Sequence, residues 1–239
     1  FIVEKPTDEN ATGASKFNDL TIENCSVVTT NRWGIAAAYT YAWAQLNSAH
    51  LNEAALEKYA SSNVTIQNNY IKAAGDAITT MYVDQPLVQY NVAEDCSRQM
   101  NPTDYPSGWQ RVAAGIWPWK CKDSVFQYNE CYNNQYAYHG NGDGQAWDAD
   151  WTDGTLYQYN YSHGNSRGAI MFCGAEAVNT TFRYNISENE LTGPLDLPGN
   201  PDAHIYNNTF YMNENIKSIF DRTGGNAVLE NNIFYYGGS

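Results

Sequence analysis

Asparagine recurs in one register along most of this chain, and few folds tolerate that. The stretches TIENCSV, TIQNNYI, LVQYNVA, VFQYNEC, LYQYNYS, TFRYNIS, HIYNNTF and VLENNIF align on one polar position. It falls at Cys25, Asn69, Asn91, Asn129, Asn160, Asn185, Asn208 and Asn232. Seven of the eight are Asn, at spacings of 44, 22, 38, 31, 25, 23 and 24 residues. The base period is thus about 22–25 residues, with insertions in three units. A short strand, a turn and two more strands make one coil of a parallel β-helix at that length. Asn side chains stacked at one corner can hydrogen-bond along the axis and satisfy buried polar groups. A leucine-rich repeat shares the period, but its LxxLxL spacing is missing. A β-sandwich would not hold one Asn register through seven units. The sequence therefore predicts an all-β fold, a right-handed parallel β-helix spanning 1–239 as a single domain. NEAALEKYA (52–60), in the 44-residue unit, has the composition of a short helix packed outside the coil.

The register assigns faces. Thirteen residues before the Asn of six successive coils stand Ile78, Ile116, Trp147, Phe172, Leu195 and Ile219, all apolar, as an interior column requires. Strand side chains alternate, so the positions twelve and ten before each Asn face outward. Those pairs are Thr79 and Met81, Trp117 and Trp119, Asp148 and Asp150, Cys173 and Ala175, Asp196 and Pro198, Phe220 and Arg222. Two tryptophans then lie one coil, about 4.8 Å, from two aspartates. The surplus residues of the two longer coils, CSRQMNPTDYPSGWQ and YNNQYAYHGN, enter at the same corner and should wall one flank of that face.

Composition narrows the partners. Thirteen Lys plus Arg stand against 26 Asp plus Glu, a formal charge of -13, which repels phosphate backbones and excludes nucleic acid as an expected partner. It counts less strongly against polyanionic sugars. Nineteen Tyr and seven Trp suit a surface that meets neutral carbohydrate. Five cysteines with no CxxC spacing argue against zinc and leave room for one or two disulfides. No apolar run is long enough to span a bilayer, so the chain reads as soluble. No leader pattern follows Phe1.

The stretch NGDGQAWDADWTDG (141–154) carries four aspartates. Asp143 and Asp153 precede Gly, which is turn chemistry, although Asp143 also opens the acidic strand beneath the inserted loop. Asp148 and Asp150 share a strand face where like charges repel and Asp is disfavoured. A solvated coil face, a structural calcium site and acid/base catalysis each fit them. No other cofactor or metal is expected. Glycoside hydrolysis needs one carboxyl kept protonated and one kept ionised, and crowding beside Trp117 and Trp119 would split two carboxyls that way. The tryptophans would offer flat platforms to sugar rings. Gln145 could hydrogen-bond sugar hydroxyls, His139 could reach over from its loop, and Asp196 lies two coils away on the same face.

GDGQAWDAD, GTLYQYNYSHGN and AIMFCG resemble the secreted bacterial β-helix glycosidases, in particular the lacto-N-biosidase family, glycoside hydrolase family 136. The resemblance is clearest over 110–190. It implies an extracellular or cell-surface enzyme that releases lacto-N-biose from a human-milk oligosaccharide with retention. It also implies two aspartates seven residues apart, a spacing that Asp143 and Asp150 have. By that resemblance Asp143 is the general acid/base and Asp150 the nucleophile or transition-state stabiliser, with Asp148 beside them. Family catalytic domains are longer, so the chain is expected to be a fragment or one of two chains that complete a single β-helix. The rival readings are a polysaccharide lyase or epimerase on the same fold, for which the face lacks basic residues beyond Arg222, and a non-catalytic carbohydrate-binding β-helix.

Overall fold

A computed structural model of the protein describes residues 1–39, 53–97, 113–135 and 143–237. Its described residues form three long parallel sheets of eight, eight and nine strands. Each coil contributes one strand to each sheet, and the order follows the chain: the first sheet runs from Ile2–Val3 and Trp33–Tyr39 through Asp76–Met81, Ile116–Trp119, Trp147–Asp150, Ile170–Cys173 and Leu195–Leu197 to Phe220–Thr223. This is a parallel β-helix. A short helix, Glu53–Tyr59, lies on its outside and buries Leu56.

The Asn ladder explains how such short strands hold a corner. Each ladder Asn accepts from the backbone N–H and the side-chain amide of the Asn one coil before it. Asn91, for example, donates both to Asn129 Oδ1, each at 3.0 Å, and Asn129 donates both to Asn160 Oδ1 at 3.0 and 3.1 Å. The amides also donate inward to carbonyls, Asn129 to Val88 O at 3.0 Å. Cys25 joins through its backbone N–H alone, 2.9 Å from Asn69 Oδ1. The residue before each ladder position is left-handed: Asn24, Asn68, Tyr90, Tyr128, Tyr159, Tyr184, Asn207 and Asn231 have φ between 52° and 57°. A bulky side chain disfavours that conformation by about 1–2 kcal/mol, and the ladder's buried hydrogen bonds offset it.

The four tyrosines at this corner form an outer stack. Tyr90, Tyr128, Tyr159 and Tyr184 follow one another at 5.1, 5.1 and 5.3 Å between ring centroids and lie within 8° of parallel. A glutamine row runs beside them, Gln158 to Gln127 to Gln89 to Gln67, at 2.8–2.9 Å.

Inside, Ile78, Ile116, Trp147, Phe172 and Leu195 are all fully buried. The expected register holds through Trp147 and then shifts. Ile170, not Phe172, pairs with Trp147, and Phe220, not Ile219, pairs with Leu195. Phe172 stays interior because it lies two residues along the same strand face. The turn after Ile170–Cys173 takes up two extra residues, and the last coil is one residue shorter. Met171 and Cys173, rather than Cys173 and Ala175, therefore lie outward beside Asp148 and Asp150. Small residues of the other eight-stranded sheet, Cys131, Ser162 and Ser187, share the interior with the bulk of Trp147, Tyr157 and Phe182, so that the cross-section stays filled.

Two further expectations change. All five cysteines are free thiols, three of them buried, so no disulfide staples the coils; Cys96, Cys121 and Cys131 act as small apolar filling. Trp117 and Trp119 point outward as expected but are not open platforms, exposing only 6% and 8% of their surface. A second apolar cluster covers them on the outside of the first sheet, built with Val3, Ala36, Leu56, Met81 and Tyr82.

Candidate active site

Strand Trp147–Asp150 sends Trp147 and Ala149 into the core and Asp148 and Asp150 out of it. Parallel pairing then sets Asp150 between Trp119 and Cys173, and Asp148 beside Met171. Asp143 enters from the turn before the strand. Gly144 permits that entry: its φ is +129°, and a Cβ there would meet Gln135 O at 2.9 Å and Ser166 Oγ at 3.0 Å.

Burial dominates the electrostatics. Asp148 exposes 4% of its surface, and burial first, then the neighbouring charges of Asp150, Asp143 and Asp196, push its carboxyl well above the usual carboxylate range. Burial likewise raises Asp143, to about 7, where Asp196 adds to the rise and Arg222 opposes it. Asp150 is raised by burial and by Asp143, against a hydrogen bond from the Cys173 thiol and the attraction of Lys120. One oxygen of Asp148 and one of Asp150 are buried with no hydrogen-bond partner. Three carboxyls thus share a desolvated patch that favours their protonated forms.

Gln145, fully buried, donates from Nε2 to Asp196 Oδ2 at 2.9 Å, while its Oε1 has no partner. Asp196 differs from the expected sugar contact. It is fully buried, and Arg222 closes over it, with Nε 2.6 Å from Oδ1 and Nη2 on Oδ2. Its oxygens are engaged by protein, so it braces Gln145 and Arg222. Trp117 Nε1 donates 3.0 Å to the buried Asp76, which also pairs with Arg32 at 3.2 Å. His139 and most of both inserted loops lie outside the described residues. Asp153 stands apart, accepting from Asn179 Nδ2 at 2.7 Å.

Two neighbours escape the alternation rule. The Lys120 ammonium lies 4.9 Å from the Trp119 ring centre and 5.2 Å from that of Trp151, a pair of cation–π contacts. Both Lys120 and Trp151 have left-handed backbones, φ 48° and 55°, so strict parity does not apply to them; WPWK and DADW mark them only as following the outward positions. Among the described residues, Asp148, Asp150 and Cys173 are the set able to hold a metal ion, their ligand atoms within 4.8 Å of one another. A sulfur ligand in that set argues against calcium, which takes oxygen.

No family model matches the chain. It is 54% identical over 229 residues to the lacto-N-biosidase of Bifidobacterium longum subsp. longum, a match covering 92% of this chain and 14% of that protein. Two crystal structures of the GH136 lacto-N-biosidase from Eubacterium ramulus, native and selenomethionine, each align with a TM-score of 0.88 and 40% identity. They cover 99% of this chain and 38% of theirs. The chain thus spans well under half the length of the relatives it matches. At these identities, nearly all of this chain is similar to a part of the lacto-N-biosidases, the solved ones being of glycoside hydrolase family 136.

Proposed function

We propose that this chain carries the catalytic strand of a glycoside hydrolase that releases lacto-N-biose from an oligosaccharide with retention of configuration. The observation that carries this reading is the convergence of Asp143 and Asp150, seven residues apart, on one desolvated patch in a chain whose relatives are lacto-N-biosidases. Asp150 attacks the anomeric carbon while the glycosidic C–O bond breaks, and Asp143 gives its proton to the leaving oxygen. Water then hydrolyses the glycosyl ester, giving its proton back to Asp143 and freeing Asp150. Asp148, neutral in its buried position, keeps a second negative charge from crowding the nucleophile. Gln145 Oε1, unpartnered within the protein, accepts from a sugar hydroxyl or amide. Trp117 and Trp119 support the site as a packed wall. An oligosaccharide substrate fits an extracellular or cell-surface location. The apolar edge at Ile233 and Tyr235, 61% and 55% exposed, supports further coils, in this polypeptide or a second chain, completing the β-helix.

Asp150→Asn should abolish turnover while leaving the fold intact. Asp143→Asn should fail most on substrates with poor leaving groups, since an acid matters least when the leaving group needs no proton. Asp153→Asn should be nearly silent. If the first two both keep activity within about threefold, roughly 0.65 kcal/mol of barrier, the strand is not the catalytic centre.

A further inference from the structure

Cys173 has no part in the reaction above, yet pairing sets it directly beside Asp150. Asp148 lies two residues from Asp150 on the same outward face, and the three ligand atoms fall within 4.8 Å of one another. In a tetrahedral zinc site, with bonds of about 2.0–2.3 Å, neighbouring ligand atoms lie roughly 3.5 Å apart. Binding an ion would require side-chain rotations that close this set to that size. Asp148 exposes only 4% of its surface, and its Oδ1 is buried without any donor. Asp150 Oδ1 is orphaned in the same way. A buried carboxylate oxygen without a donor is costly, and a cation would satisfy both.

The surrounding charges allow it. Arg222 is held by Asp196, and the ammonium of Lys120 lies over two indole rings. Asp143 adds a further carboxyl to the patch.

We propose that Asp148, Asp150 and Cys173 form a binding site for a thiophilic divalent cation of the zinc and cadmium type, and that its occupation blocks the enzyme. The ion binds two carboxylate oxygens and the thiolate, displacing to solvent the protons those groups carry. Thiolate selects zinc or cadmium over calcium and magnesium. Inhibition, though not binding, rests on Asp150 acting in glycoside cleavage, because coordination removes the lone pair needed for attack.

The test is titration of the full chain with cadmium chloride, followed by ultraviolet sulfur-to-cadmium charge transfer and calorimetry. One equivalent should bind with a charge-transfer band. Cys173→Ser should abolish the band and weaken binding at least tenfold, and Asp148→Asn should weaken it comparably while keeping the band at higher cadmium. Cys25→Ser, which removes the exposed thiol, should change neither. Melting temperatures check that each variant is folded. In activity assays zinc chloride should inhibit reversibly, with a chelator restoring the rate. Cys173→Ser should need at least tenfold more zinc, measured against its own zinc-free rate. Absence of a stoichiometric band, or its loss with Cys25→Ser instead, overturns the proposal. Binding at Cys173 without inhibition upholds the metal site and removes Asp150 from the reaction.

Discussion

Glu190 ends a second interior ladder that a reader of the sequence would pass over. Cys96 donates its backbone N–H to Asn134 Oδ1 at 3.2 Å, Asn134 to Asn165 Oδ1 at 3.1 Å, and Asn165 to Glu190 Oε2 at 2.6 Å. A carboxyl thus stands where the two rungs before it carry amides. Burial lifts it from 4.5 to about 7, against hydrogen bonds from Asn165 and Ser187. The folded chain therefore holds this proton more tightly than the unfolded chain does. Its stability contribution is full below about pH 4.5 and is lost as pH rises through about 7. At 1.36 kcal/mol per pKa unit the difference is about 3 kcal/mol. Glu190→Gln keeps the geometry and cannot ionise. Urea unfolding at pH 5 and pH 8 should show a smaller pH-dependent loss in the variant than in the parent, by about that amount. Equal losses would mean that Glu190 is not buried as described.

The strand and its corner set the next scale. Asn129→Ala would strand the backbone N–H of Asn91 and the carbonyl of Val88, both now paired with Asn129. Two buried orphans at about 1–3 kcal/mol each give an expected loss of about 3 kcal/mol or more. One residue earlier, Tyr128→Asn should cost about 1 kcal/mol or less. It gives up ring stacking but relieves the left-handed strain, as Asn already does at 68, 207 and 231. Urea denaturation of the two variants measures the contrast. The same geometry explains what could be read in advance. The first ladder was legible because every rung makes the same bonds and tolerates no substitute inside. The shift at Ile170 was not, since Phe172 is equally apolar and two residues preserve parity. The second ladder hid behind its short run and its glutamate. For the site, pairing of Trp119, Asp150 and Cys173 in one row is a matter of register, and two of those three were placed from spacing. That the tryptophans would be buried was not readable, because outward means only away from this coil's core; they share an outer apolar cluster with residues far away in sequence, Val3 and Leu56 among them.

Across the whole molecule, each coil touches chiefly its neighbours, so stability should be close to a sum of coils and interfaces. The middle coils are covered on both sides, while the coil at Asn232 keeps Ile233, Tyr235 and Tyr236 exposed. Hydrogen exchange followed by mass spectrometry should find amides in the coils of Asn129 and Asn160 at least about tenfold slower than those around Asn232. Uniform protection along the axis would instead mean that the coils open together.

The tyrosine row at the outer corner has a consequence of another kind. The inner rings of the row, Tyr128 and Tyr159, give both faces to their tyrosine neighbours, so they are poorly shaped to hold a sugar. Four identical chromophores held about 5 Å apart and nearly parallel must, however, couple their electronic transitions. The coupling depends on the twist from one ring to the next, which is the twist of the coils themselves. The chain therefore carries an intrinsic optical gauge of its own winding, readable as an exciton signal in circular dichroism without any added label.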